Sequence, residues 1–314
     1  MSERTSGDPT AQVRASGGRS SASRGSRHAG RVTVTTSQPA RPPAATTAQL
    51  AAATLVCGSA VALFGFEERV VGYPMLLAGL GLAALVDRSP GRRLLRHLSL
   101  VAGSLALIGL IPLKADLSNV AILRFAVVLG LAVLVPLVVT RRFWGEDVIR
   151  FPVRTGRRWS RFEWGYLALV VLLGYLVLPV YFITSGAYEN WPAISTPDEV
   201  ARLFVGVNAV GLWDELFFIC TVFALLRQHF SFTQANLLQA TVFVSFLWEL
   251  GYQSWGPLLT TPFALLQGYI FYRTKSFLYV LVVHLTFDVI IFGVLVHAHN
   301  PGWLDVFLTS PRPG

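Results

Sequence analysis

Charge is scarce in this sequence: Asp, Glu, Lys and Arg together make up only 14% of 314 residues, while 53% are hydrophobic and the mean hydropathy is +0.55. A chain so poor in charge reads as an integral membrane protein, not as one that covers a large soluble surface. Cysteine is almost absent. Cys57 and Cys220 are the only two, and they fall in separate apolar segments. That placement excludes a disulfide scaffold or a Cys-based metal site and leaves them as small buried hydrophobes. Lysine is equally rare, since Lys114 and Lys275 leave 24 arginines among the 26 basic residues. The net charge of +9 therefore belongs to arginine-bearing cytoplasmic loops and anionic lipid, and nucleic acid is not expected as a partner. The same arginine bias, with abundant alanine, points to GC-rich coding and hence to a bacterial plasma membrane. Residues 1–47 lack the apolar core of a secretory signal. They are rich in Ser, Gly, Thr, Ala and Pro, with seven arginines against Glu3 and Asp8. Such a composition resembles an organellar transit peptide, but the favoured reading is a disordered, solvated cytoplasmic tail.

Apolar runs are what the sequence has in abundance. Nine of them, at 49–66, 70–86, 97–113, 119–140, 163–184, 198–227, 234–254, 257–272 and 276–297, approach the roughly 20 residues a helix needs to cross about 30 Å of hydrocarbon. The expected fold is all-α, a polytopic transmembrane helix bundle of about nine spans. The connections alternate in charge. Segment 87–96 carries four arginines, 141–162 seven, 227–233 Arg227 and 273–275 Arg273 with Lys275, whereas 66–69, 114–118 and 185–199 carry acids. By the positive-inside rule the N-terminus is cytoplasmic and the C-terminus outside. The chain divides into a basic tail (1–47), a four-span block (48–140), a basic aromatic interfacial loop (141–162), a five-span block (163–300) and a C-terminal tail (301–314). Loop 141–162 interleaves arginine with Phe143, Trp144, Phe151, Trp159 and Phe162, the composition of a segment in the headgroup layer, so membrane lipid is an expected partner. Thr196, Pro197 and Glu199 mark the start of the sixth helix as cap, first-turn proline and capping-box acid.

Against this apolar background stand four carboxylates, Asp214, Glu215, Glu249 and Asp288, and one imidazole, His284. An unpaired charge in hydrocarbon costs several kcal/mol, so these groups must be protonated, share protons or hold a cation. At 1.5 Å per residue they lie about 15–24 Å from the cytoplasmic ends of three helices, within one slab of the bilayer. Convergence from three helices points to a functional polar site. His284 and Asp288 share a helix face, whereas Asp214 and Glu215 diverge by about 100°, so one faces the site and the other supports it. Taken singly, the His284–Asp288 pair reads as interhelical glue and Glu249 as a protonated acid on a carbonyl. Taken together, the set suits a divalent metal, Zn²⁺ being the economical choice, with Glu249, His284 and Asp214 as ligands. His297 and His299 are expected to be solvated at the outer end.

The stretches Asp214-Glu215-Leu216-Phe217-Phe218 with Leu225-Leu226-Arg227, Gln267-Gly268-Tyr269-Ile270-Phe271-Tyr272-Arg273-Thr274-Lys275-Ser276, and His284-Leu285-Thr286-Phe287-Asp288 resemble the CPBP family. These are the CAAX-protease and bacteriocin-processing intramembrane metalloproteases, also called ABI proteins. The resemblance covers about 163–295. It implies EExxxR, FxxxH and HxxxN or HxxxD motifs on successive spans, a site reached from the cytoplasmic side, and water activation by the acids and histidines. Only the third motif is intact. Asp214 replaces the first glutamate, Ile219 stands in place of the arginine, and Leu250 in place of the second-motif histidine, with Glu249 beside it as a substitute. The resemblance implies a metal-dependent intramembrane endopeptidase acting on a membrane-associated peptide. Asp214 or Glu215 would be the base, Glu249 and His284 ligands, and Asp288 the group that orients His284 or stabilises the oxyanion. The alternatives are a catalytically inactive homologue that binds or scaffolds membrane partners, and a proton-coupled carrier.

Overall fold

The computed structural model describes residues 45–153 and 156–310. Within them the chain forms nine helices: α1 (Thr47–Gly65), α2 (Arg69–Val86), α3 (Arg93–Ile108), α4 (Asn119–Phe143), α5 (Arg161–Thr184), α6 (Pro197–Leu226), α7 (Phe232–Leu250), α8 (Pro257–Thr274) and α9 (Phe277–His299). No strand occurs among the described residues. Each apolar run became one helix. Six of them, α1, α2, α4, α5, α6 and α9, are long and apolar enough to cross a membrane. Helix α3 has only 16 residues. The amides, acid and arginine of α7 and α8, Asn236, Gln239, Glu249, Gln267 and Arg273, lower the hydropathy of those two.

Local chemistry sets where the helices start. At α6, Thr196 accepts from Glu199 N (3.3 Å) while Glu199 accepts from Thr196 N (3.0 Å) and Ser195 N (2.8 Å), the reciprocal cap expected from the sequence. Similar boxes open α1 (Thr46, Gln49), α5 (Ser160, Glu163) and α7 (Ser231, Gln234). Each places hydrogen-bonding side chains where the first N–H groups of a helix have no partner of their own.

The loops gather at two ends. At the arginine-rich end His229 Nε2 meets His97 Nδ1 (2.9 Å), and Phe277 N donates to Pro152 O (3.1 Å). At the other end Leu113 N donates to Glu249 Oε1 (2.9 Å), Lys114 pairs with Glu67 (3.4 Å), and Asn190 Nδ2 donates to Gly251 O (3.1 Å). Between the ends one continuous core draws on all nine helices, running through the four-span and five-span blocks alike. His297 corrects an expectation. It is 2% exposed, with its ring nitrogens against the carbonyls of Leu304 (2.6 Å) and Thr309 (3.1 Å), because the segment after α9 folds back over it.

Candidate functional site

The polar groups lie well inside the bundle. Counting 1.5 Å per residue, His284 and Asp288 sit about 10 and 17 Å along α9, and Glu215 about 17 Å from the end of α6. All are buried, with Glu215 fully so. From Glu215 to Phe223 the backbone of α6 widens into a π-helix, a distortion frequent at functional positions.

Asp214 and Glu215 straddle one imidazole. Glu215 Oε1 accepts from His284 Nδ1 at 2.7 Å, and Asp214 Oδ2 lies 3.7 Å from His284 Nε2. The sequence assigned one acid to the site and the other to its support; both reach the same ring, because its two nitrogens project from opposite edges. Asp288, one turn beyond His284, brings Oδ1 to 3.8 Å from Nε2. Both separations exceed a direct hydrogen bond and match the spacing a shared water would span. Asp214 Oδ1, Glu215 Oε2 and Asp288 Oδ2 are buried without a partner, so this cluster has to share protons or draw solvent.

Three neighbours were not assigned a role from the sequence. Gln267 Nε2 donates to the same Glu215 Oε1 (2.6 Å) and to Val280 O (3.2 Å), tying α8 to α6 and α9. Phe263 stands edge-on to the His284 ring with centroids 4.9 Å apart, and Phe243 lies 6.0 Å away on α7. An amide in an apolar run was the available signal for Gln267. No comparable signal marked the two rings, since aromatics abound in these helices. Close approach of α6 and α9 depends on Gly211, where a Cβ would fall on the Asp288 carboxylate.

A cavity of about 870 Å³ opens onto the cluster. Asp214, His284 and Asp288 line it; Glu215 and Gln267 lie behind the imidazole and do not. The remaining walls are almost wholly apolar, from α4, α5, α6, α8 and α9, with Leu247 and Leu250 of α7 among them.

Glu249 is not part of this group. Its Oε1 accepts from Leu113 N, and its charged neighbours are Glu67, Lys114 and Arg69 at the end remote from the arginine-rich loops. The bond satisfies a backbone donor just after α3, a structural use of a carboxylate. The Zn²⁺ ligands expected together, Glu249, His284 and Asp214, are therefore split between two places. His284 Nδ1 is also taken by Glu215. Among the described residues no group of three or more His, Cys, Asp or Glu side chains is arranged to hold a metal ion. The donor set does not fit that ion.

Fold and site together define a polytopic helical membrane protein with a buried carboxylate–imidazole centre on an apolar cavity. Residues 196–290, from the start of α6 into α9, match the family model of the type II CAAX prenyl endopeptidase Rce1-like proteins. That segment includes every residue of the cluster. No curated protein and no solved structure matched the chain.

Proposed function

We propose that the protein is an intramembrane endopeptidase that hydrolyses a peptide bond of a membrane-associated substrate, of the prenylated kind named in the family description. One observation carries this reading. His284 Nε2, Asp214 and Asp288 converge on a cavity wall at distances one water can bridge, while Glu215 holds the far side of the ring. Asp214 is the base that faces the substrate space. It takes a proton from the water as the water oxygen bonds the carbonyl carbon, then returns that proton to the leaving amine as the C–N bond breaks. His284, as an imidazolium whose Nδ1–H is donated to Glu215, orients the water and donates its Nε2–H to the developing oxyanion. Glu215 positions the ring and Asp288 the water. All four roles fall to side chains of the protein itself.

The test is cleavage of a farnesylated C-terminal peptide by purified protein in proteoliposomes. Asp214→Asn and His284→Ala should each abolish cleavage while leaving insertion and thermal unfolding in place. Retained proteolysis in both variants ends the assignment. Loss of activity on chelation with recovery on adding Zn²⁺ would return a metal to the reaction. Ile219 and Leu250, both apolar where the family resemblance expects arginine and histidine, favour a second reading as an inactive homologue that binds membrane partners. An absence of cleavage by folded wild-type protein supports that one.

A further inference from the structure

We propose that Arg227 and Lys275, which meet over the ring of Tyr272 at the arginine-rich end, hold the phosphate of an anionic phospholipid whose acyl chains lie along the exposed face of α8. The placement of the two cations carries the inference. Arg227 Cζ, just after α6, stands 5.7 Å from the Tyr272 ring centroid, and Lys275 Nζ, just after α8, stands 4.3 Å from it. Both lie within cation–π reach of one ring. No carboxylate offsets the pair, because residues 216–248 and 250–287 contain neither Asp nor Glu, and the ion pairs among the described residues all form elsewhere. Burial, and then the like charge of Arg227, hold the Lys275 ammonium below the usual lysine pKa. An anion shared between the two would relieve that repulsion. Arg227 Nη1 donates to Phe230 O, which fixes the guanidinium and leaves Nε and Nη2 for such a ligand.

Lys275 occupies a backbone position that glycine would suit better. Its φ is 53°, in the left-handed turn that ends α8, where a residue without Cβ meets no steric penalty. What lysine adds there is its charge. The surroundings point to a lipid as the source of the phosphate, since Tyr272 and Tyr269 are exposed, with Phe232 packed against both (ring centroids 4.8 and 6.1 Å), as aromatics are at a membrane surface. Below them the exposed Leu266 and Leu258, two turns apart on α8, continue the same apolar face into the bilayer. Such a headgroup would brace the helices around His284, because α6 carries Asp214 and Glu215 while α8 carries Phe263 and Gln267. Its binding does not depend on the proteolytic reading.

The test compares the full chain in phosphatidylcholine nanodiscs with and without phosphatidylglycerol, reading thermal unfolding and, by native mass spectrometry, the lipid that stays bound. Phosphatidylglycerol should raise the unfolding midpoint of the wild type, as a ligand of the folded state does. Lys275→Gly removes the charge and suits the turn, so it should unfold no earlier than the wild type in phosphatidylcholine yet lose the added stability, with apparent affinity for phosphatidylglycerol about tenfold lower. Arg227→Gln should lose it likewise; if that variant does not fold, Lys275→Gly carries the test alone. Arg142→Gln, which removes another exposed cation at the same end, should respond as the wild type does. An undiminished response in Lys275→Gly overturns the proposal, as does no response in the wild type. An equal loss in Arg142→Gln also overturns it, by assigning the effect to diffuse charge. Inorganic phosphate that protects as well as phosphatidylglycerol would overturn the lipid assignment.

Discussion

Gln267 governs how firmly the His284 ring is held, because its amide and the imidazole share one oxygen of Glu215. Leucine at 267 removes that amide without altering the cavity wall, which Gln267 does not line. Gln267→Leu should lower kcat about 10–100-fold, the usual cost of losing a group that orients a reactive side chain, and leave KM nearly unchanged. A matching rise in KM would show that Gln267 acts on binding. Glu249 provides the contrasting case. Glu249→Gln keeps an acceptor for Leu113 N and should leave cleavage untouched, whereas Glu249→Leu should cost about 1–3 kcal/mol of stability through the unsatisfied N–H. Abolished cleavage in folded Glu249→Gln would restore that residue to the site. The sequence could identify these buried polar residues but not their partners, since Gln267 and Glu215 are 52 positions apart. Depth did not separate Glu249 either: at about 24 Å from its cytoplasmic end it fell in the same slab as Asp288 at about 21 Å, so the sequence grouped it with the cluster.

Between elements, small residues and buried contacts set the spacing. Gly211 lets α6 approach α9 so closely that a methyl group would displace the Asp288 carboxylate, while Gly206, five residues earlier on the same helix, faces open space. Gly211→Ala should therefore cost about 1–3 kcal/mol, the typical penalty of overpacking, together with most of the activity. Gly206→Ala should cost neither; equal effects would remove the argument from helix approach. At the arginine-rich end His229, in the turn between α6 and α7, packs on His97 of α3. Burial, reinforced by His97 and Arg93, pushes His229 down to about 4. In the unfolded chain it takes a proton near pH 6.5. Between these values the unfolded state binds more protons, so stability is complete above that window and declines as pH falls through it. Thermal unfolding in detergent should show this slope in the wild type and a flatter one in His229→Ala. Equal slopes would assign the pH dependence elsewhere.

At the scale of the whole molecule, the periodic features were the legible ones. Run length gave the nine helices, and Thr196, Pro197 and Glu199 marked the start of α6. Assembly was less legible, because packing between helices leaves no period in the sequence. The first four helices read as a separate block, yet they help build the site. Helix α4 walls the cavity, Trp213 Nε1 on α6 donates to Leu129 O on α4 (2.7 Å), and Phe64 of α1 packs edge-on against Phe246 of α7. The segment that matches the family model starts at residue 196 and packs on helices well before it. Residues 141–314 expressed alone would leave the Trp213 N–H and one wall of the cavity facing lipid, at a cost of several kcal/mol for each unsatisfied polar group. That fragment should insert but cleave nothing, and co-expression with residues 1–140 should restore cleavage. Full activity from the fragment alone would show that α4 is dispensable as a wall of the cavity at Asp214.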